Sequence, residues 1–143
     1  MLKFKIATPE KIVYENEIKQ VSIPTLTGEI TILPKHRPLV TIVQAGEMRL
    51  VDNNGEQVMA IAGGFVEVKA NGEVTVLADN VERAQEIDLT RAETARLRAE
   101  EQLKQAKQMS DVDFARLQSV LDRELNRIRI ARKYRQPKIE INK

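Results

Sequence analysis

The stretch Ile87–Ala92, IDLTRA, marks the point at which the sequence changes character. Before it, apolar residues mostly alternate with polar ones, as in half-buried strands, and glycines separate the apolar runs. After it no glycine occurs, and apolar residues recur every three or four positions, as in amphipathic helices. The sequence therefore predicts an α+β chain, with a β domain at residues 1–86 and a helical domain at residues 87–143.

The first domain is predicted to be an antiparallel β-sandwich of about ten short strands. Within residues 2–6 apolar side chains alternate with lysines, which is typical of a strand with one wet face. Tight hairpins are indicated at Asp52–Gly55 and Ala70–Glu73, because Asn and Gly tolerate positive φ. Gly63-Gly64 predicts a bend or bulge. The other candidate strands are Ile12–Tyr14, Ile18–Ile23, Glu29–Leu33, Leu39–Val43, Glu47–Val51, Val58–Ala62, Phe65–Lys69 and Val74–Ala78.

The second domain is predicted to be two helices packed as an antiparallel hairpin. Asp88 suits the N-cap of the first helix. A break is expected near residues 108–111, where Ser110, Asp111 and Asp113 are candidate caps of the second helix. Gln136-Pro137 is expected to end that helix, because a residue before proline avoids the helical region.

The predicted contact stripe of the first helix is mainly alanine, and buried alanine contributes less than buried leucine. The hairpin is therefore expected to be held weakly, either as a closely packed appendage or as an element that can come apart. The first stripe is Leu89, Ala92, Ala95, Ala99, Leu103 and Ala106. The second stripe is Phe114, Leu117, Leu121, Leu125, Ile128 and Ala131.

Composition excludes several classes of site. The chain has 23 Lys+Arg against 21 Asp+Glu, so it is not a polyanion binder by net charge. It has no Cys and no Trp, which excludes disulfides and thiolate metal sites and leaves few stacking platforms. No apolar run approaches the roughly 18 residues that span a bilayer, so a soluble protein is expected.

Two polar stretches are candidate sites. The loop Pro34–Pro38 holds the only histidine, but no nucleophile with an orienting carboxylate and no second metal ligand accompany it. This loop is predicted to be a docking surface or a structural turn. Residues 123–138 contain seven Lys/Arg and one Glu, which suits a solvated helix end, an acidic protein partner or nucleic acid. Tyr134 is their only aromatic residue, so a free-standing nucleic-acid-binding module is the weaker alternative.

Three segments carry a family resemblance: Gly28–Thr41 (GEITILPKHRPLVT), Ala62–Val68 (AGGFVEV) and Val74–Asp79 (VTVLAD). Followed by a helical hairpin, they resemble the epsilon subunit of F-type ATP synthase over essentially the whole chain. The resemblance implies a non-catalytic central-stalk subunit that helps to couple proton flow to ATP synthesis. Its implied partners are the gamma subunit, the c-subunit ring and the alpha/beta catalytic head, with no nucleic acid. Membrane association would come only through the complex, at the cytoplasmic face of a bacterial plasma membrane.

The resemblance also implies roles for individual residues. Glu29 and His36 would lie on the c-ring side of the sandwich. The hairpin would lie on the sandwich when folded down, and would oppose ATP hydrolysis when extended. In the extended state an acidic segment of the beta subunit would meet Arg116, Arg123, Arg127 and Arg129, since guanidinium binds carboxylates in pairs of hydrogen bonds.

IDLTRA matches the I/L-D-x-x-R-A motif of bacterial epsilon subunits that bind ATP. Taken alone, Asp88 is an ordinary cap; with the resemblance, regulatory ATP binding is favoured, with no catalytic cofactor. The implied ATP site consists of Glu82, Ile87, Asp88, Arg91, Ala92, Arg98, Arg123 and Arg127.

Overall fold

The computed structural model describes residues 1–105 and 108–134. The chain divides into two compact units, a β unit of Met1–Arg83 and a hairpin unit that begins at Ala84. The strands of the β unit are β1 (Leu2–Ala7), β2 (Ile12–Ile18), β3 (Gln20–Thr25), β4 (Gly28–Ile32), β5 (Leu39–Ile42), β6 (Gly46–Asp52), β7 (Gly55–Val68) and β8 (Glu73–Arg83). The hairpin unit contains a 3₁₀ turn (Ala84–Glu86) followed by α1 (Leu89–Gln105) and α2 (Asp111–Tyr134).

The predicted β-sandwich followed by two helices is confirmed, with two corrections to the strands. Residues 1–83, all of them described, form eight strands rather than about ten, because the candidates on either side of Gly63-Gly64 are one strand, β7. The sandwich is also not purely antiparallel, because β1 pairs with β8 in parallel. Their sequence separation hides this pairing from a reading of local patterns. Both predicted hairpins are present, since Asp52 pairs with Gly55 and β7 runs antiparallel to β8.

The glycine pair lies where β7 changes partner. Up to Ile61 the strand pairs with β6, and from Phe65 it pairs with β5. The register with β8 continues unshifted on either side, so β7 passes through the glycine pair without a bulge. Both glycines have positive φ, and a Cβ on Gly64 would overlap the carbonyl oxygen of Leu77. Only glycine therefore allows β7 and β8 to approach so closely at this position.

The core of the β unit follows from the alternation. Leu2, Phe4 and Ile6 all point inward and are at most 1% exposed. Inward residues from seven more segments complete one continuous cluster, as expected when the inner faces of a sandwich interdigitate. The other members are Ile18, Val21, Ile23, Ile32, Val43, Met48, Leu50, Met59, Ile61, Val66, Val68, Val74, Val76 and Ala78.

The two helices form the predicted antiparallel hairpin. Arg132 near the end of α2 donates a hydrogen bond to Glu93 near the start of α1. Ala92 and Ala99 are buried on α1, and Leu89, Ala95 and Leu103 are half-buried, which confirms that part of the stripe; Ala106 lies outside the described residues. Within the described ranges, neither helix is long and apolar enough to cross a membrane.

The predicted stripe of α2 is partly wrong. Phe114 and Leu125 are 53% and 44% exposed, whereas Glu124 is 1% exposed. The buried face runs through Glu124, Ile128 and Ala131, which lie on one side of the helix because they are separated by four and three residues. A stripe that assumes every buried position is apolar cannot anticipate a buried carboxylate. The predicted end of α2 at Gln136-Pro137 lies outside the described residues.

Candidate functional site

IDLTRA is a helix start in the structure. The backbone N–H of Arg91 donates to Asp88 Oδ1 at 3.0 Å, and that of Ala92 donates to the Asp88 carbonyl. Asp88 is thus the N-cap of α1, as predicted. Ser110 caps α2 in the same way, accepting from the N–H of Asp113 at 3.1 Å, so the three candidate caps reduce to one.

The motif's other two predicted ATP residues are packing residues. Ile87 and Ala92 are both fully buried, Ile87 directly after the 3₁₀ turn that packs on α2. Their side chains can shape a site but can offer no charge to a ligand. The predicted site residue Glu82 belongs to the β unit, where it lies on β8 opposite Ala60 of β7.

Two of the predicted arginines share a carboxylate on α2. Arg127 Nη1 donates to Glu124 Oε1, and Arg123 Nε donates to Glu124 Oε2 at 3.3 Å. The Glu124 side chain is 1% exposed, while those of Arg123 and Arg127 are 38% and 21% exposed. Arg123, Glu124 and Arg127, here called the arginine cluster, thus present two partly exposed guanidinium groups over one buried carboxylate. Guanidinium groups in this arrangement can bind phosphate or carboxylate oxygens.

The cations predicted on α1 are exposed. Arg91 and Arg98 are seven residues apart, so they lie on the same side of the helix about two turns from each other. The contact between Glu93 and Arg132 sets the antiparallel register. Arg98 lies five residues from Glu93, and Arg127 lies five residues from Arg132, both toward the connection between the helices. Arg98 and Arg127 therefore lie at about the same height in the hairpin.

Most described cations of the basic run are already paired within the hairpin unit. Arg123 and Arg127 contact Glu124, Arg132 contacts Glu93, and Arg129 donates to Asn126 Oδ1 at 2.6 Å. The Lys133 ammonium lies 5.1 Å from the Tyr134 ring centre. Pairing of this kind does not favour the alternative of a nucleic-acid-binding module, which needs cations available to phosphates. Arg135 and Lys138 lie outside the described residues.

The remaining predicted partner contacts are polar residues, of which Arg116 and Glu29 are exposed and His36 is half-buried. Arg116 forms an ion pair with Asp113 at 3.8 Å on α2. Glu29 on β4 accepts a hydrogen bond from Arg49 at 2.9 Å. The His36 ring nitrogen Nδ1 lies 2.8 Å from the Arg37 carbonyl oxygen in the loop between β4 and β5. Among the described residues, no group of His, Cys, Asp or Glu is arranged to hold a metal ion.

An apolar surface on the β unit was missed by the sequence reasoning. Ile42, Phe65 and Leu77 are neighbours across β5, β7 and β8, and they are 43%, 54% and 55% exposed. Val40, two residues before Ile42, lies on the same face and is 66% exposed. We call these four residues the outer apolar row. A signal was available in LVTIV (residues 39–43) and VTVL (residues 74–77), which place apolar residues on both faces of a strand. A strand with one face in solvent needs apolar residues on the inner face only.

A buried acid was also missed. Asp52 is 3% exposed and accepts hydrogen bonds from Tyr14 Oη at 2.8 Å, Gln57 Nε2 at 2.9 Å and the N–H of Asn54 at 2.7 Å. The bond from Tyr14, followed by that from the Asn54 backbone, lowers the pKa of Asp52. Burial, with the Asp52 carboxylate adding to it, raises the pKa of Tyr14 to about 12. The sequence reasoning assigned Asp52 only to a turn.

A shallow cleft on the outer face of β1, β2 and β8 offers no selective charge. Across the strands, Lys3 lies opposite both Glu17 and Glu73, and Lys5 lies opposite Glu15. Because cations and anions alternate there, the cleft attracts neither sign strongly. The arginine cluster is a more favourable anion site than this cleft.

The fold defines a class of chains in which a β-sandwich is followed by a long helical hairpin. Residues 1–84 match the family model of the β-sandwich domain of the ATP synthase delta/epsilon chain. Residues 81–132 match the model of the long α-helix domain of the same chain. The protein therefore belongs to the delta/epsilon chain family of ATP synthases.

Similar proteins agree with this assignment. An ATP synthase epsilon chain of Herpetosiphon aurantiacus is 44% identical over 131 residues, covering 92% of this chain and 94% of that one. Another from Halalkalibacterium halodurans is 42% identical over 130 residues, covering 91% and 96%. A chain in the mitochondrial ATP synthase of Euglena gracilis has the same fold, with a TM-score of 0.69 at 18% identity over 85% of this chain and 75% of that one.

Proposed function

We propose that this protein is a non-catalytic subunit of the central stalk of an F-type ATP synthase. In this proposal the β unit docks on the gamma subunit and the c-subunit ring, and the hairpin unit is an ATP-sensitive brake on hydrolysis by the alpha/beta head. The observation that carries the proposal is the family match of both units, together with relatives named ATP synthase epsilon chain over nearly their whole length. The site of action would be the cytoplasmic face of a bacterial membrane.

The outer apolar row supports the docking role of the β unit. Exposed contiguous apolar patches on folded domains commonly mark protein interaction sites. Ile42, Phe65 and Leu77 form such a patch from three strands whose other faces build the core. Because the patch sits on rigid strands, a partner can bind there with little loss of conformational entropy. The loop of His36 and the strand position of Glu29 provide polar contacts of the kind proposed for the c-ring.

The packing of the hairpin unit supports a regulatory role. Its helix contact rests on Ala92 and Ala99 from α1, where a leucine-lined contact would bury much more apolar area. A hairpin that must leave one arrangement for another needs the two states to be closely balanced. Weak apolar packing makes such a balance attainable.

ATP is the proposed ligand of the folded hairpin, and the arginines are the proposed phosphate contacts. A triphosphate requires several cations, and the hairpin brings Arg98 to about the height of Arg127 while Arg123 lies one turn away on the same helix. ATP at 100 times its dissociation constant would stabilise the state that it binds by about 2.7 kcal/mol. That would shift a balanced equilibrium about a hundredfold. The proposed hairpin contacts are Ile87, Asp88, Arg91, Ala92, Arg98, Arg123 and Arg127, and Glu82 stays a prediction.

Truncation after Glu86 tests the brake in the assembled ATP synthase. The β unit would remain to hold the complex together, and ATP hydrolysis should rise several-fold when the hairpin unit is absent. Co-purification of the truncated chain with the catalytic head serves as the control for assembly. Unchanged hydrolysis by a fully assembled complex would remove the brake from the proposal.

Titration calorimetry of the full chain tests the ATP site. Arg91→Ala and Arg123→Ala should each weaken ATP binding, because each removes a cation from the proposed site. Arg96→Ala is the matched control, since Arg96 pairs with Glu100 on α1 and is not in the set. Equal affinities in all four proteins would contradict ATP binding at this place while leaving the stalk role intact.

A further inference from the structure

Glu124 is a buried anion between two arginines of the proposed phosphate site. It is the single carboxylate among the seven cations of residues 123–138, and it is 1% exposed. Its two oxygens accept from Arg123 and Arg127, which the proposed function assigns to ATP. A buried carboxylate requires cationic or hydrogen-bonding partners, because an unpaired buried charge is very costly. Glu124 and the phosphates of the proposed ligand would thus bind the same two guanidinium groups.

We infer that Glu124 is an internal competitor that sets the affinity of the hairpin for polyphosphate; the inference rests on the proposed function. The carboxylate neutralises part of the charge of Arg123 and Arg127 while they carry no ligand. A bound phosphate must share those guanidinium groups with Glu124. Glu124 therefore weakens phosphate binding, and a weaker site can respond to changes in a concentrated ligand instead of remaining saturated.

An orienting role for Glu124 would have the opposite effect, so the two must be weighed. Holding a guanidinium group in place saves side-chain entropy that is worth about 0.5–1.5 kcal/mol per side chain. A phosphate bound through the same guanidinium would lie roughly 7 Å from the carboxylate, because each anion sits one hydrogen bond away from that group. At the effective dielectric of protein sites, a unit charge at that distance changes affinity on the order of tenfold or more. Several phosphate charges add to this repulsion, so competition outweighs orientation.

Glu124→Gln in the full chain separates the two roles. Gln keeps the shape and one acceptor oxygen but removes the charge, so the affinities for ATP and for inorganic tripolyphosphate should both rise on the order of tenfold. Asp113→Asn is the matched control, because it makes the same charge change about three turns away on α2, where Asp113 pairs with Arg116. Circular dichroism reports whether each variant keeps its helices. If Glu124→Gln loses helicity, Glu124→Ala replaces it, since alanine has the highest helix propensity.

The outcomes distinguish the inference from the proposed function. Tighter binding of both probes by Glu124→Gln, with Asp113→Asn unchanged, supports the inference. If the original chain binds ATP and the Glu124 variants bind it equally or more weakly, the inference fails and the proposed ATP site survives. If neither the original chain nor any Glu124 variant binds ATP or tripolyphosphate, both fail.

A double variant adds a readout that a merely structural role would not change. The Arg123→Ala substitution removes one of the two guanidinium groups that Glu124 and the ligand would share. The tightening produced by Glu124→Gln should therefore be clearly smaller than in the original chain. An undiminished gain would show that Glu124 weakens binding by repulsion alone, without sharing Arg123 with the ligand, which contradicts the competition for this guanidinium group.

Discussion

The β unit and the hairpin unit are stabilised by different kinds of side chain. The 17-residue core cluster of the β unit has one alanine, and its other members are Val, Leu, Ile, Met and Phe. Among the described residues of the hairpin unit, four of seven buried apolar side chains are alanine, and Glu124 and Asn126 are buried with them. Apolar burial stabilises in proportion to area, so the β unit gains much more per residue. The difference indicates a rigid platform and a helical element with a small margin of stability.

The largest expected effect is in the β core. Phe4→Ala should lower the free energy of unfolding of the β unit by about 3–5 kcal/mol, because it empties a fully buried site that β1 contributes to the sandwich. Phe65→Ala is the control, since Phe65 belongs to the outer apolar row and is 54% exposed. Its cost should be about 1 kcal/mol or less. Denaturant titration followed by hydrogen exchange can assign the loss to the β unit, and equal losses from the two variants would break the comparison.

A smaller effect is expected at the buried acid of the β unit. Tyr14→Phe should cost about 1.5–3 kcal/mol, because it removes a hydrogen bond to a charged group. Asp52 has a lowered pKa, so its contribution is present above about pH 3.9 and is lost as pH falls from there through the folded pKa. In Tyr14→Phe the pKa of Asp52 should move upward, and acid unfolding should begin at a higher pH.

Tyr14, the other member of this pair, makes stability depend on pH in the opposite direction, because its contribution is lost as pH rises. Folding raises the pKa of Tyr14 to about 12, above the ordinary tyrosine value of about 10. The neutral phenol is therefore favoured by folding, and its contribution should be present below about pH 10 and decline as pH rises toward 12. Thermal melts of the original chain and of Tyr14→Phe, recorded from acid to alkaline pH, measure both contributions. If the melting temperature of neither protein falls in acid, Asp52 is not a stabilising anion.

The smallest expected effect is at the start of the hairpin unit. Asp88→Ala should destabilise α1 by about 1 kcal/mol, because it removes the side-chain acceptor at the N-cap. Asp88→Asn keeps an acceptor and should cost much less. Because the hairpin has a small margin, the alanine variant should visibly increase hydrogen exchange in α1 while leaving the β core unaffected. Equal hydrogen exchange in the Asp88→Ala and Asp88→Asn variants would mean that the side-chain cap does not stabilise the hairpin.

The features predicted correctly from the sequence are those that depend on interactions between residues close together in the chain. Alternation gave the inward residues of β1, the Asn-Gly turns gave two hairpins, and Asp88 gave the start of α1. The parallel pairing of β1 with β8 could not be predicted, because it joins segments about 70 residues apart without a local signal. The pair Gly63-Gly64 was predicted to be a bend or bulge that separates two strands, whereas the pairing with β8 continues through it and makes β7 one strand.

The candidate site shows the same division between local and long-range information. The positions of the cations were readable from the sequence, whereas the burial of Glu124 was not, because helical periodicity assigned the buried face to Leu125. Asp52 was assigned to a turn since nothing local connects it to Tyr14, 38 residues earlier. Both misses are buried carboxylates. Asp52 is held by Tyr14, which only the folded chain brings close, whereas Glu124 is held by its neighbours on α2 and is buried by the packing of that helix.

The most direct test of the difference between the units is amide hydrogen exchange in the full chain, with and without ATP. We predict that amides of α1 and α2 exchange far sooner than those of β1, β6 and β7, and that ATP slows exchange in the helices alone. Helices protected as strongly as the central strands, and indifferent to the nucleotide, would contradict a weakly held regulatory hairpin.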